Sequence, residues 1–199
     1  MDLRTGTPMD VREATLADLD GIIDVHTQAR LAYYGAGGLA SGSIVNPTLA
    51  QEQRVGWTAA IESPRKRVLC AVVEGRIVGI AAMGPPLSDE ADADGVGQLY
   101  QIHVVPGRWG EGIGSRLHGL FVRYLEDASL STGLLEVWER NSRARAFYTR
   151  HGWKPDGEFR AGPDNSRYIC MRLELMPLPA PAATPHAGKV GPDEGLAGA

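Results

Sequence analysis

Three glycines at alternate positions, Gly110, Gly112 and Gly114, follow directly on Val104-Val105-Pro106-Gly107-Arg108-Trp109. They open a series at helical spacing: Ile113, Leu117, Leu120, Phe121 and Tyr124. Glycine accepts backbone dihedrals closed to other residues, so the chain can turn tightly there with its amides facing one way. The helix that starts at the turn adds the positive end of its dipole. Amides and dipole together suit a pyrophosphate. Two phosphate motifs compete for this stretch. A P-loop needs Gly-Lys and then Ser or Thr, whereas Gly114 is followed by Ser115 and Arg116, which disfavours nucleoside triphosphate hydrolysis. A dinucleotide fingerprint gains from Glu136, far enough downstream to hold a ribose, but only one residue separates its second and third glycines, and Pro106 to Trp109 intrude before the first. A dinucleotide-binding oxidoreductase domain is therefore the weaker reading.

Elements able to hold the turn are legible on both sides of it. A strand from about Gln98 to Val105 leads in, and Leu134 to Trp138 and Tyr168 to Leu175 read as later strands. Val11 to Ala14 is a short first strand. Thr15, with Asp18 three residues on, caps a helix marked by Leu19, Ile22, Ile23 and His26. After a break at Gly35, Gly37, Gly38 and Gly42, a second helix covers Thr48 to Ile61. Val68 to Val73 and Ile77 to Met83, joined by Glu74-Gly75-Arg76, form a hairpin. Arg143 to His151 is a helix ended by Gly152. Adjacent hairpin strands break the strict alternation of a doubly wound fold, so the order predicts an α+β domain with a mixed, mostly antiparallel central sheet flanked by helices.

The 199 residues suit one domain, placed at 9–175, with a loose leader over 1–8 and a Pro/Ala/Gly-rich tail over 176–199 that is expected to be disordered. Twenty Lys and Arg against 24 Asp and Glu leave a net charge of -4, which argues against a sequence-independent grip on nucleic acid. No apolar run approaches the roughly 20 residues of a membrane span. The start, Met1-Asp2-Leu3-Arg4, holds no apolar signal stretch, and Cys70 and Cys170 lie far apart in strands, as buried thiols of a reducing compartment do. A cytoplasmic protein is expected.

The glycine turn resembles the pyrophosphate loop of the GNAT superfamily of N-acetyltransferases, where Gln/Arg-x-x-Gly-x-Gly/Ala follows a strand ending in Val-x-Pro. Gly112 and Gly114 match; Trp109 stands where that family usually has Gln or Arg, with Arg108 just before it. A second segment, Asn141-Ser142-Arg143-Ala144-Arg145-Ala146-Phe147-Tyr148 and then His151-Gly152-Trp153, is similar to the family's Asn-x-x-Ala-x-x-Phe-Tyr-x-x-x-Gly-Phe/Trp. The resemblance covers about residues 9–175.

It implies a GNAT fold and transfer of an acetyl group from acetyl-CoA, the cosubstrate, to a primary amine in a ternary complex. The acceptor would be a small metabolite, an antibiotic or a peptide N-terminus. The backbone of Trp109, Gly110, Glu111, Gly112, Ile113, Gly114 and Ser115 would cradle the pyrophosphate. Main-chain groups of Ile102 and Val104 would pair with the pantetheine arm, Asn141 would touch that arm, and Tyr148 would protonate the departing thiolate. Arg140, Arg143 and Arg145 stand near enough in sequence to meet the adenosine phosphate. Many relatives carry a Glu early on the strand before the turn; Gln98 holds that place here and cannot accept a proton at useful pH. His103, Asp94, Tyr100 and Glu136, or water leading to any of them, remain as bases, with His103 favoured by its ordinary pKa. The acceptor walls are expected from Tyr33, Tyr34, Trp57, Gln98, the Gly35 to Asn46 loop and the acidic loop with Asp94, a mix of aromatic and acidic groups that suits a cationic amine. No metal, nucleic acid or membrane is expected, and a homodimer is compatible with the family. The rival in another class is a catalytically silent acyl-CoA-binding module.

Overall fold

The computed structural model describes residues 8–87 and 95–175; residues 1–7, the acidic stretch 88–94 with Asp94, and the tail 176–199 lie outside the described residues. Seven strands, β1 (Asp10–Glu13), β2 (Arg67–Val73), β3 (Arg76–Gly84), β4 (Val96–Val104), β5 (Thr132–Trp138), β6 (Lys154–Ala161) and β7 (Arg167–Glu174), form one sheet. Their order is β1-β2-β3-β4-β5-β7-β6. Every neighbouring pair is antiparallel except β4 and β5. This is the mixed, mostly antiparallel α+β sheet that the order of elements predicts.

Helices cover both faces. The helices are α1 (Leu19–Ala36), the single turn α2 (Ser41–Ile44), α3 (Pro47–Glu62), α4 (Ile113–Asp127) and α5 (Ser142–Arg150). Because side chains alternate along a strand, Val68, Cys70, Ile80 and Ala82 meet Ile22 and Val25 of α1 and Trp57 of α3. Their neighbours Leu69, Ala71, Ala81 and Met83 pack with Ile113, Leu117, Phe121 and Leu125 of α4. Covered faces explain why β2 and β3 read as unbroken apolar runs. The Thr15–Asp18 capping box forms, although its first turn is a 3-10 turn over Leu16–Asp18 and α1 proper begins at Leu19. In the β2–β3 hairpin Glu74 and Gly75 have φ of 51° and 73°, the left-handed pair of a tight primed turn.

The parallel junction of the sheet is short. β4 and β5 pair only over Val96, Gly97 and Gln98 against Thr132, Gly133 and Leu134. A Cβ on Gly97 would stand 2.4 Å from Leu125, and one on Gly133 would stand 3.0 Å from Phe121, so these paired glycines let α4 sit down on the junction. Immediately beyond, Ala82 faces Gln101 and Met83 faces Leu99, which leaves Tyr100 as an extra residue. A bulge bends the strand that carries it. From there β4 stays with β3 while β5 stays with β7, and the sheet opens into a split.

β6 was not expected. Its residues are nearly all exposed, and Pro155 and Gly157 interrupt it, so an edge strand of this kind carries no alternating apolar signal.

Candidate active site

The split exposes main-chain groups that a continuous sheet would hide. Val105 donates its N–H to the Val78 carbonyl, so by antiparallel alternation Gln101 and His103 also face β3, while Ile102 and Val104 face the split. An unpaired strand edge is a template for another extended chain. Where β4 ends, Pro106–Arg108 makes one 3-10 turn, and Gly110 and Gly112 follow with φ of 91° and 82°. Both need the left-handed region, and a Cβ at either would meet nothing, so open space lies over the turn. Gly114 has no such φ; a Cβ there would stand 3.5 Å from the Phe147 ring. The first α4 bond described runs from Arg116 N–H to the Gly112 carbonyl, which leaves the amides of Ile113, Gly114 and Ser115 without helical partners. The Ile113 side chain is buried in the core, so only its backbone is available.

Trp109 braces this turn. Its Nε1 donates to the Val104 carbonyl at 2.9 Å, and the Arg143 guanidinium lies 4.2 Å from the centre of its ring. Arg143 therefore brings to the turn the positive charge that Trp109 does not carry. Arg108 is instead spent on Glu111, at 3.1 Å. Arg140 pairs with Asp164 at 2.9 Å, and Arg145 donates to the Glu139 carbonyl at 3.2 Å. Asn141 caps α5: its Oδ1 accepts from the Ala144 N–H at 3.1 Å, leaving the amide nitrogen for another partner.

Tyr148 is buried on α5 against Phe147 and Trp153, and among the described residues its hydroxyl has no hydrogen-bond partner. Burial raises its pKa, so the phenol stays protonated throughout the neutral range. On the α1 side of the split the aromatic residues form a row. His103 stacks on His26 at 4.7 Å between ring centres, and Tyr33 lies parallel to His103 at 6.2 Å. Tyr33 and Tyr34 then reach Trp138 at the end of β5 at 6.3 and 4.7 Å, so the row spans the gap between the two diverging strands.

The structure redistributes several expected roles. His103 does not have the basicity of a free imidazole: burial, with the nearby charge of Arg30, lowers its pKa to about 3. Its Nε2 shares a 2.9 Å hydrogen bond with Gln101 Oε1, so it is a neutral stacked ring rather than a base poised near pH 7. Trp57 is no acceptor wall. It is buried beneath α1, its Nε1 donating to His26 Nδ1 at 2.9 Å. Gln98 is buried and accepts from the Leu87 N–H at 2.8 Å, bracing the loop that leaves β3. Tyr100 donates to the Pro85 carbonyl. Glu136 is held by Arg160 at 2.6 Å.

Tyr34 does line a cavity. It is about 250 Å³ in volume and sits between α1 and the β6–β7 hairpin, with Arg30, Ser43, Arg160 and Tyr168 also in its wall. The Tyr34 and Tyr168 hydroxyls hydrogen-bond to each other across it. No carboxylate is in its described wall; the acidic part of the expected mix belongs to residues 88–94, which lie outside the described residues. Arg30 was missed, yet it stands four residues after His26 and three and four before Tyr33 and Tyr34. Helical periodicity carried past His26 would have put these side chains on one face.

Known proteins share this plan. The acetyltransferase (GNAT) family profile matches residues 40–153. An uncharacterized N-acetyltransferase of Mycobacterium tuberculosis is 30% identical over 122 residues, covering 58% of this chain and 72% of its own. One from Archaeoglobus fulgidus is 26% identical over 140 residues, covering 70% of this chain and 89% of its own. Among solved structures, the PaiA N-acetyltransferase of Thermoplasma acidophilum in complex with coenzyme A superposes with a TM-score of 0.67 at 16% identity, covering 84% of this chain and 99% of that one. The ribosomal-protein-S18-alanine N-acetyltransferase of Escherichia coli gives 0.64 at 17% identity, over 87% of this chain and 97% of that one. Split sheet, glycine turn and family profile agree: this chain belongs to the GNAT family of acetyltransferases.

Proposed function

We propose that the chain transfers an acetyl group from acetyl-CoA to a primary amine by direct attack within a ternary complex. One observation carries this: the β4–β5 split runs into a glycine turn with open space over Gly110 and Gly112, where the amides of Ile113, Gly114 and Ser115 have no helical partner. The pantetheine arm lies along β4, pairing with the main chain of Ile102 and Val104 as an added strand would. The pyrophosphate sits on the backbone of Trp109 to Ser115, with Arg143 on Trp109 beside it. The free amide of Asn141 is directed to the same arm. An N–H at the β4 edge facing the thioester carbonyl would stabilise the developing oxyanion, by about 3 kcal/mol where such donors are preorganised.

The amine nitrogen forms a bond to the thioester carbon, and the carbon–sulfur bond then breaks. Nitrogen loses one proton and sulfur gains one. Tyr148 donates a hydrogen bond to the leaving sulfur. Burial makes its anion costly, so it serves as a donor while the net proton travels from the attacking nitrogen to the thiolate. No side chain of the described site is placed as an ordinary base, so the enzyme selects the neutral form of its acceptor. A lysine-like amine is neutral only about 4 times in 10,000 at pH 7.

Release of free CoA thiol from acetyl-CoA across a panel of amines tests the reading. Thiol release that requires both protein and amine, with an acetylated product of matching mass, supports it. Tight acetyl-CoA binding with no release over the panel would make the chain a silent acyl-CoA-binding module instead.

A further inference from the structure

The cavity beside the split holds a charge that the described fold does not balance. Two guanidiniums reach it, and they differ. Arg160 donates to Glu136 Oε2 at 2.9 and 2.6 Å and lies 4.2 Å from the centre of the Tyr168 ring, so its charge is compensated. Arg30 has no carboxylate partner among the described residues. Its guanidinium carbon lies 5.1 Å from the centre of the Tyr34 ring, and its Nε is buried with no hydrogen-bond partner among the described residues. Buried donors in folded proteins are nearly always satisfied. Nε itself is sealed from the cavity, so it is the terminal nitrogens of Arg30, which have no partner among the described residues, that are open to an acceptor there.

Three hydroxyls, of Ser43, Tyr34 and Tyr168, line the same space. Tyr34 and Tyr168 hydrogen-bond to each other, so one of that pair and Ser43 keep a proton to give; beside them a planar guanidinium fork matches a carboxylate, whose two oxygens take parallel N–H bonds. The volume, about 250 Å³, falls below the range of roughly 300–1,000 Å³ typical of drug-sized ligands and suits a molecule of amino-acid size. Tyr34 belongs both to the aromatic row over the split and to the wall of this cavity, so a ligand seated here lies against the end of that row.

We propose that the amine acceptor is a small amino-carboxylate whose carboxylate is received by Arg30, with the hydroxyls of Ser43, Tyr34 and Tyr168 around it. The proposal rests on the acetyl-transfer reading for its name of acceptor, although the carboxylate site itself does not. It replaces the cationic acceptor that aromatic and acidic walls would favour.

The test compares each standard L-amino acid with its own carboxamide, which keeps the amine and removes the charge. With acetyl-CoA saturating, thiol release by the wild type should show at least one acid with a KM about tenfold or more below that of its amide. In Arg30→Gln the acid-to-amide ratio of that pair should collapse to within about twofold, and Arg30→Lys should restore part of it; melting curves establish that both variants fold. Equal KM values for acids and amides in the wild type, a preference for amides, or a ratio that survives Arg30→Gln would overturn the proposal. Calorimetric titration with the same acids and amides in the absence of acetyl-CoA separates the two readings. If no amine releases thiol but an acid binds the wild type and not Arg30→Gln, acetyl transfer fails and the carboxylate site stands. If no acid binds and none is turned over, the carboxylate site fails.

Discussion

In the proposed mechanism Tyr148 carries the heaviest chemical load of any single side chain, and that role would separate binding from turnover. Tyr148→Phe removes the donor to the leaving sulfur and little else, so kcat should fall by roughly 10- to 1000-fold while calorimetric acetyl-CoA affinity stays within about twofold. Unchanged kcat would mean that the leaving sulfur does not use the Tyr148 hydroxyl as a donor and that water serves in its place. His103 makes the opposite case. An imidazole whose pKa is lowered to about 3 is already neutral across the working range, so it produces no rise in kcat/KM between pH 6 and 8. That rise should follow the acceptor amine instead, moving when an acceptor of different pKa is used and keeping its position in His103→Ala. A limb that stays fixed for all acceptors and vanishes in His103→Ala would restore His103 as the base. At this scale the sequence was most legible where backbone conformation writes itself in residue type, as at Gly110 and Gly112, whose φ values exclude most other residues. It was least legible for side chains whose role is set by partners distant in the chain. Trp57 looks like a surface aromatic until His26, 31 residues away, takes its N–H.

Among the elements, the short β4–β5 junction decides whether there is a site at all. Gly97 and Gly133 face each other there, and α4 rests on both. Gly97→Ala would put a methyl carbon 2.4 Å from a Leu125 methyl, so α4 must lift or Leu125 must turn. Overpacking of this kind costs about 1–3 kcal/mol. Denaturant unfolding should show that loss, and acetyl-CoA affinity should weaken as well, because both the split and the glycine turn hang from the displaced elements. A stable variant with native affinity would show that the junction tolerates the change. The four longer helices and the inner strands were visible in the sequence because each buries a face and so keeps a period, whereas the single turn α2 lies inside the stretch read as a Gly-rich loop. The split was not, because it arises from pairing: the bulge at Tyr100 has no signature in residue type and emerges only when Leu99 and Gln101 find their partners on β3. β6 stayed hidden for the converse reason, that an exposed edge has no face to bury.

Taken as one molecule, the protein buries neutral histidines on both faces of its sheet, His26 on α1 and His118 on α4, where Trp153 Nε1 donates to His118 Nε2 at 2.8 Å. Burial lowers their pKa values to about 2 and about 4. In the unfolded chain both titrate near 6.5, so below that pH the unfolded state binds more protons than the fold. Their contribution is complete above pH 6.5 and is lost as the pH falls toward 4 and beyond, at about 1.4 kcal/mol for each tenfold gap in proton affinity. Melting temperature should therefore drop steeply between pH 6.5 and 4, and His118→Gln should flatten part of the drop; a level profile would mean that these rings are hydrated. The same two-faced sheet holds the split open between its halves, and the central claim is that acetyl-CoA fills it. Hydrogen exchange read by mass spectrometry, with and without saturating acetyl-CoA, measures this directly. Within peptides spanning 99–104 and 109–116, the amides that the fold leaves unpaired, those of Ile102, Val104 and Ile113 to Ser115, should exchange rapidly in the free protein and become protected when acetyl-CoA is bound, while β1 and β2 are unaffected. Binding by calorimetry with no new protection in those two segments would contradict the account.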